Sequence, residues 1–456
     1  EFSEVVESQP ELVAHHFTEA NDITKAVSYW LKAGQRSQSR SANHEAIEHY
    51  RNGLRVIEIQ DESADRDQQE NNFQLALVGA LVGAKGYAAP EVNPTLDRTR
   101  ELSERLGEPT TLMIVLWFTW AMSLIRSELD QAVDDVAEML ALAERTGDDG
   151  LLMEALFGQV ATCFFRGEFE PVPASGERGI ALYDEERCKM LAQFIGQNAG
   201  VTIRNFWSCS LWHLGSVDQA LNVARDAVQL SRDIEHPFSQ VHGMTEAAWL
   251  HYFCRLSDET LALAEEALSI SLKHDFPFWE ACATATVGGG LILQGHIEKG
   301  IEKIETAFSL FRSTGGSVHQ CFMYSMLAEG LRGAGRREEA LNEIETALTA
   351  AVETRELYMH AELLRQKGQL LLEISEENTE AAERCYLESL EVAGNQSAIS
   401  CELRTLMDLA QLRQTQGRIP EARELLASTY EKFTEGFSSP DLQRAKAVLA
   451  ELDALA

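Results

Sequence analysis

The chain has 456 residues, 45% of them apolar, and its 72 acidic against 39 basic side chains give a net charge of −33. That apolar share suits a packed core, and disorder is not expected. Carboxylates spread along the whole length repel phosphate backbones and anionic lipid, which excludes nucleic acid and membrane surfaces as partners.

In chain order, Glu1-Phe2-Ser3-Glu4 has neither the basic region nor the apolar run of a signal peptide. Pro10-Glu11-Leu12 starts a helix with no polar capping repeat before it, so the array is expected to continue upstream. Trp30, Ala33, Gly34, Ala46, Tyr50 and Gly53 follow the tetratricopeptide spacing W-x2-x-G then A-x3-[FY]-x2-[AG]. Gln60 to Gln69 (QDESADRDQQ) reads as a charged connector. Residues 1–59 then form N-terminal repeats, and residues 60–456 a continuous solenoid.

Helical pairs are predicted over 70–106, 109–146, 148–183, 200–233, 237–274, 277–314, 317–354, 357–393 and 397–433, with a capping helix over 440–455. Pro109, Pro237 and Pro277 stand near helix starts, where a missing amide hydrogen costs nothing, and Pro420 lies in a first turn. Gly107, Gly147 and Gly315 stand just past helix ends, where a left-handed residue is wanted. Leu112 to Ile125 is the most hydrophobic segment, but a bilayer span needs about 20 apolar residues, so it reads as a buried helix. Tyr183 to Gly200 lengthens one unit to 48 residues, and Glu373 to Thr379 is an acidic turn. Gly288-Gly289-Gly290 inside a helix needs compensation, from close helix packing or from a kink or ligand approach.

One signature recurs about every forty residues between these helices. It reads Gly-x-x-x-x-Ala at Gly215–Ala220, Gly335–Ala340 and Gly417–Ala422, with variants at Gly295–Gly300 and Ser127–Ala132. A fixed period of this size marks units that bury their apolar faces only by stacking on neighbours. The expected fold is all-α, a right-handed α-solenoid of tetratricopeptide-like hairpins, about 10–11 repeats of about 40 residues.

Chemistry-bearing motifs are missing. Gly79 to Lys85 lacks the interval of a phosphate loop, and HExxH, GxSxG, EF-hand and dinucleotide patterns do not occur. His15-His16 and the pair His44 and His49 lack metal-site spacing, and Asp134-Asp135, Glu265-Glu266 and Glu338-Glu339 read as solvated faces. No catalytic residue, cofactor or metal is expected, and the chain is not expected to be an enzyme. The eight cysteines, at 163, 188, 209, 254, 282, 321, 385 and 401, form no CxxC pair and read as reduced core thiols of a cytoplasmic protein.

The segment Phe433-Thr434-Glu435-Gly436-Phe437, with Pro440-Asp441-Leu442-Gln443 and Ala445-Lys446-Ala447, resembles the closing segment of a family of bacterial signalling proteins. These join a class III adenylate/guanylate cyclase, an AAA-type ATPase and a long tetratricopeptide-like tail. Gln9 to His16, Leu182-Tyr183, Gly196 to Val201, His236 to Ser239 and Phe276 to Trp279 fit the same tail. Asn198-Ala199 stands where that family usually has Asp-Pro. The resemblance implies that any cyclase or ATPase activity belongs to domains upstream of this chain.

Solenoid curvature makes an extended concave face suited to binding a protein or peptide, here including the upstream domains of the same polypeptide. Candidate contacts on first helices are Asn205, Trp207, Trp249, His251, Trp279, Tyr324 and Arg365, since large aromatic and polar groups anchor interfaces. The alternative is a small-molecule sensor, with Gln197, Asn198 and Arg204 beside the 183–200 insertion as pocket contacts. A homo-oligomerisation scaffold is the third reading.

Overall fold

The computed structural model describes residues 9–38, 40, 42–85, 91–195, 197–234 and 236–455. The readings made on Glu1 to Glu4 and on Gly196 lie outside these residues. Among the described residues every regular element is a helix, and the chain is a tetratricopeptide-like solenoid. Pro10–Glu19, Ile23–Gln38, Asn43–Glu58, Ala64–Lys85 and Val92–Leu106 lead into eight hairpins. The first helices of these hairpins are Pro109–Ile125, Asp149–Arg166, Ala199–His213, Pro237–Phe253, Pro277–Leu293, Gln320–Gly333, His360–Ile374 and Ile399–Thr415. Pro440–Leu455 follows the last hairpin. None of the described helices is long and apolar enough to cross a membrane.

First and second helices differ in how far they are buried. Pro237–Phe253 is buried around nearly its whole circumference, from Val241 through Phe253. Its successor Ser257–His274 buries one stripe, Thr260, Ala264, Ala267 and Ser271, and turns its carboxylates outward. That is the pattern of an inner helix layer covered by an outer one.

The recurring glycine makes the turn between the layers. Gly167, Gly215, Gly295, Gly335 and Gly417 have φ between 73° and 87°, a left-handed conformation that glycine adopts without a Cβ penalty. Ser127 (φ 57°) and Arg255 (φ 60°) take the same conformation at the same place in their repeats. Five residues on, Ala132, Ala220, Ala340 and Ala422 are buried, and their small size lets the second helix approach the first.

The Gly288 run is explained by packing. A Cβ on Gly288 would lie 2.7 Å from the Gly300 carbonyl oxygen, so two backbones touch there and the helix continues unbroken. Two expectations change. The connector over 60–69 is helical from Ala64, with Ser63 Oγ accepting from Arg66 N at 3.1 Å and Asp65 and Asp67 placed well for a first turn. The 183–200 insertion carries a helix of its own, Glu185–Ile195, started by Asp184 Oδ1 accepting from Arg187 N at 2.8 Å. All eight cysteines are free thiols, and all but Cys163 are buried.

The superhelix is wound so tightly that successive turns bond to each other. Carbonyls at the C-terminal ends of early inner helices lack an intrahelical partner. Ser317 N donates to Ile125 O at 2.9 Å, Leu357 N to Phe165 O at 2.8 Å, and Ser400 Oγ to Trp212 O at 2.5 Å. Pairs bonded across the turns in this way are separated by 188–192 residues. Near the C-terminus the turn 433–437 clasps an early hairpin: Gly436 N donates to Asp218 Oδ2, and Glu435 Oε1 accepts from Gln219 N in the first turn of Val217–Asp233. The interior is filled with rings from both turns, Phe164 against Tyr358 (4.8 Å) and Trp249 against His319 (4.4 Å). An open concave face was expected; along this stretch the later turn covers the inner helices of the earlier one.

Candidate ligand cavity inside the superhelix

Where the early inner helices meet the later turn, the rings do not fill all the space. A cavity of about 380 Å³ remains, walled by Trp117, Trp120, Phe157, Phe206, Phe278 and Trp279. Four consecutive inner helices supply the walls from Trp117 to His242, because each presents its apolar side to the superhelix axis. His319 and Val318 close it from the later turn, and Gln197 reaches it from the insertion.

A few polar groups are set into this apolar wall. His242 Nε2 lies 2.8 Å from Glu246 Oε1, one helical turn away, and both side chains are almost wholly buried. Burial pushes the Glu246 carboxyl up, while His242 and the Asn205 amide oppose the shift by favouring the charged form. The His242 ring lies tilted against Trp279, with ring centres 4.5 Å apart. Burial pulls His319 down to about 3, so its imidazole is neutral. Trp117 Nε1, Gln197 Oε1 and His319 Nδ1 have no hydrogen-bond partner among the described residues. A mostly apolar cavity with few, fixed polar groups is the usual construction of a small-molecule site. Among the described residues no cluster of histidine, cysteine and carboxylate groups has the geometry to hold a metal.

The residues singled out from sequence divide into four sets. Trp279 and Gln197 line the cavity, and the buried Asn205 lies against Glu246 behind its wall. Trp249 is buried with Nε1 donating to Thr286 Oγ1 at 3.0 Å, and Arg365 is buried between Glu362 and Asp408. Trp207, His251 and Tyr324 are half-buried: Trp207 packs over Gly176, His251 Nδ1 lies 2.7 Å from the Ala247 carbonyl, and Tyr324 meets Phe308 at 4.6 Å. Asn198 is a helix cap, its Oδ1 accepting from Gly200 N at 2.9 Å. Arg204 is tied to the Gly200 carbonyl at 2.8 Å and faces the Tyr183 ring.

Trp117, Trp120, His242, Glu246 and His319 were not foreseen. One signal was present, a histidine and a glutamate four residues apart in the largely apolar helix 237–253.

The chain matches no protein-family model. An uncharacterized protein of Rhizobium meliloti (strain 1021) is 23% identical over 415 residues, which cover 89% of this chain. This chain spans 39% of that relative's length. Among solved structures, a Rap protein complexed with competence and sporulation factor is similar at a TM-score of 0.48 and 14% identity, covering 75% of this chain and 98% of that one. A STAND protein with a tetratricopeptide repeat sensor from Pyrococcus horikoshii is similar at 0.41 and 18%, covering 89% and 56%. Scores below 0.5 assign neither a function nor a partner to this chain.

Proposed function

We propose that this chain is a non-catalytic regulatory repeat region that senses a ligand held inside its superhelix. The observation that carries this reading is the aromatic cavity of about 380 Å³ at the meeting of two superhelical turns, with the buried His242–Glu246 pair in its wall. A ligand there touches both turns, so its binding energy favours the wound form over any looser one. The output is proposed from the resemblance of the closing segment: a cyclase or ATPase joined upstream, whose rate follows the state of the superhelix. A protein or peptide partner, the upstream domains included, is a second reading; Trp207, His251 and Tyr324 keep exposed surface for it.

Thermal melting with a panel of small aromatic and aliphatic compounds tests the first reading. A compound present at about a hundred times its Kd adds about 2.7 kcal/mol to folding. The Ala121→Phe variant fills the cavity and is expected to abolish the shift while circular dichroism stays unchanged. Compounds that all leave the melting temperature unmoved, or a shift that survives Ala121→Phe, would overturn it.

A further inference from the structure

We infer that the cleft beneath the C-terminal helix is a binding site for a small oxyanion. This site is separate from the aromatic cavity and does not depend on it. In a chain with 72 acidic and 39 basic residues, five arginines converge on one cavity of about 260 Å³: Arg255, Arg332, Arg365, Arg404 and Arg444. They come from distant parts of the chain. Arg255 belongs to an early turn, Arg332, Arg365 and Arg404 to later inner helices, and Arg444 to the last helix.

The carboxylates around them do not use all this charge. Arg365 is spent, with two bonds to Glu362 and one to Asp408. Arg404 gives Nε to Asp441 at 2.8 Å and an Nη to the Phe253 carbonyl, and its other Nη stays 3.8 Å from Glu362. Arg255 Nη1 bonds Glu329 at 2.5 Å, but Nη2 lies 3.9 Å from Glu362, beyond hydrogen-bond reach. Arg332 uses Nε and Nη2 on Glu373, which Arg337 shares at 3.2 Å. Arg444 reaches Asp408 through one Nη at 3.4 Å. The five guanidinium groups of the cleft meet five carboxylates, but only two of those, Glu329 and Asp441, line the cleft itself, so its wall is predominantly cationic within a strongly negative chain.

The donors left over are on Arg255, Arg332 and Arg444, and the last two side chains are 39% and 50% exposed, on the rim where a solute enters. Pro440 and Asp441 also line the cleft, so the N-terminus of the sixteen-residue last helix adds its positive end. Arg255 occupies the left-handed turn position that most other repeats give to glycine. A backbone strained in this way is held in place by surrounding interactions, and here it aims a guanidinium into the cleft. Planar guanidinium pairs match the geometry of phosphate and carboxylate oxygens. An oxyanion bound here bridges an early turn, a late inner helix and the last helix.

Calorimetric titration of the folded chain with inorganic phosphate and, separately, with succinate at matched ionic strength tests the inference. Arg444→Gln and Arg332→Gln change only rim side chains and are expected to weaken binding by about tenfold or more, ~1.4 kcal/mol. Arg232→Gln, an exposed arginine paired with Glu266 on an outer helix, is expected to leave it unchanged. Phosphate binding that responds to the rim variants supports a phosphorylated ligand, and succinate binding alone supports a carboxylate one. Heat from neither anion, or binding that both rim variants leave intact, overturns the site.

Discussion

Glu356 shows how a single side chain ties the winding to pH. It is buried, accepting from His319 N at 2.9 Å and Ser127 Oγ at 3.4 Å, and burial pushes its carboxyl from an ordinary 4.5 up to about 8. The folded form holds the proton more tightly than the unfolded one. The stability this contributes is fully present below pH 4.5 and is lost as pH rises through about 8. Glu356→Gln keeps an acceptor without a titrating proton, so it is expected to raise the melting temperature at pH 8 and change it little at pH 4.5. Thermal melts at the two pH values check this, and equal shifts at both would refute it. Arg365 makes a second case, because its removal takes the short charged bonds from the buried Glu362 and Asp408 and leaves them only longer contacts of 3.4–3.9 Å to Arg255, Arg404 and Arg444. Arg365→Ala is expected to cost about 3–5 kcal/mol in urea unfolding. Arg365 and Trp249 were legible as large residues on inner helices. What they touch across the fold was not, because Asp408 and Thr286 lie 43 and 37 residues away in the chain.

At the scale of elements, the closing segment that stood out in the sequence acts as a clasp. Phe433 is buried and lies next to Gly215, while Gly436, at φ 75°, leaves no room for a Cβ beside Val217. Phe433→Ala is expected to cost about 3–5 kcal/mol, and limited proteolysis should then cut the chain near residue 437 before any other site. Gly288→Ala pushes two touching backbones apart and is expected to cost about 1–3 kcal/mol while leaving the helical circular dichroism intact. Hairpin positions were readable because left-handed turns, N-terminal prolines and buried alanines each leave a local mark at a fixed interval. Glu185–Ile195 was missed although Cys188, Leu191, Ala192 and Ile195 form its buried stripe, because at eleven residues it falls outside the forty-residue period, and the start at Ala64 was masked by acidic residues that suit a first turn equally well.

For the whole molecule, the period of forty was in the sequence, but the pitch of the superhelix was not. Pitch follows from small rotations between stacked hairpins, summed over about five of them, and no local pattern records that sum. The aromatic cavity is a product of pitch as well, since His319 and Trp117 meet only when the later turn lies over the earlier one. If the chain regulates a cyclase joined to it, adding it in trans to the upstream fragment is expected to change nucleotide turnover; an active fragment indifferent to the chain would argue for an external partner. The bonds between turns carry a further consequence. Solenoids commonly gain or lose a unit, because each repeat answers only to its neighbours. Here Ser317, Leu357 and Ser400 must each arrive opposite a particular carbonyl laid down by an earlier helix. Deleting one hairpin between residues 217 and 314 would bring every later unit to the wrong mate, as a cross-threaded screw meets its nut. A change in the number of repeats in this stretch would therefore break these bonds together, as surely as replacing a buried side chain breaks its packing.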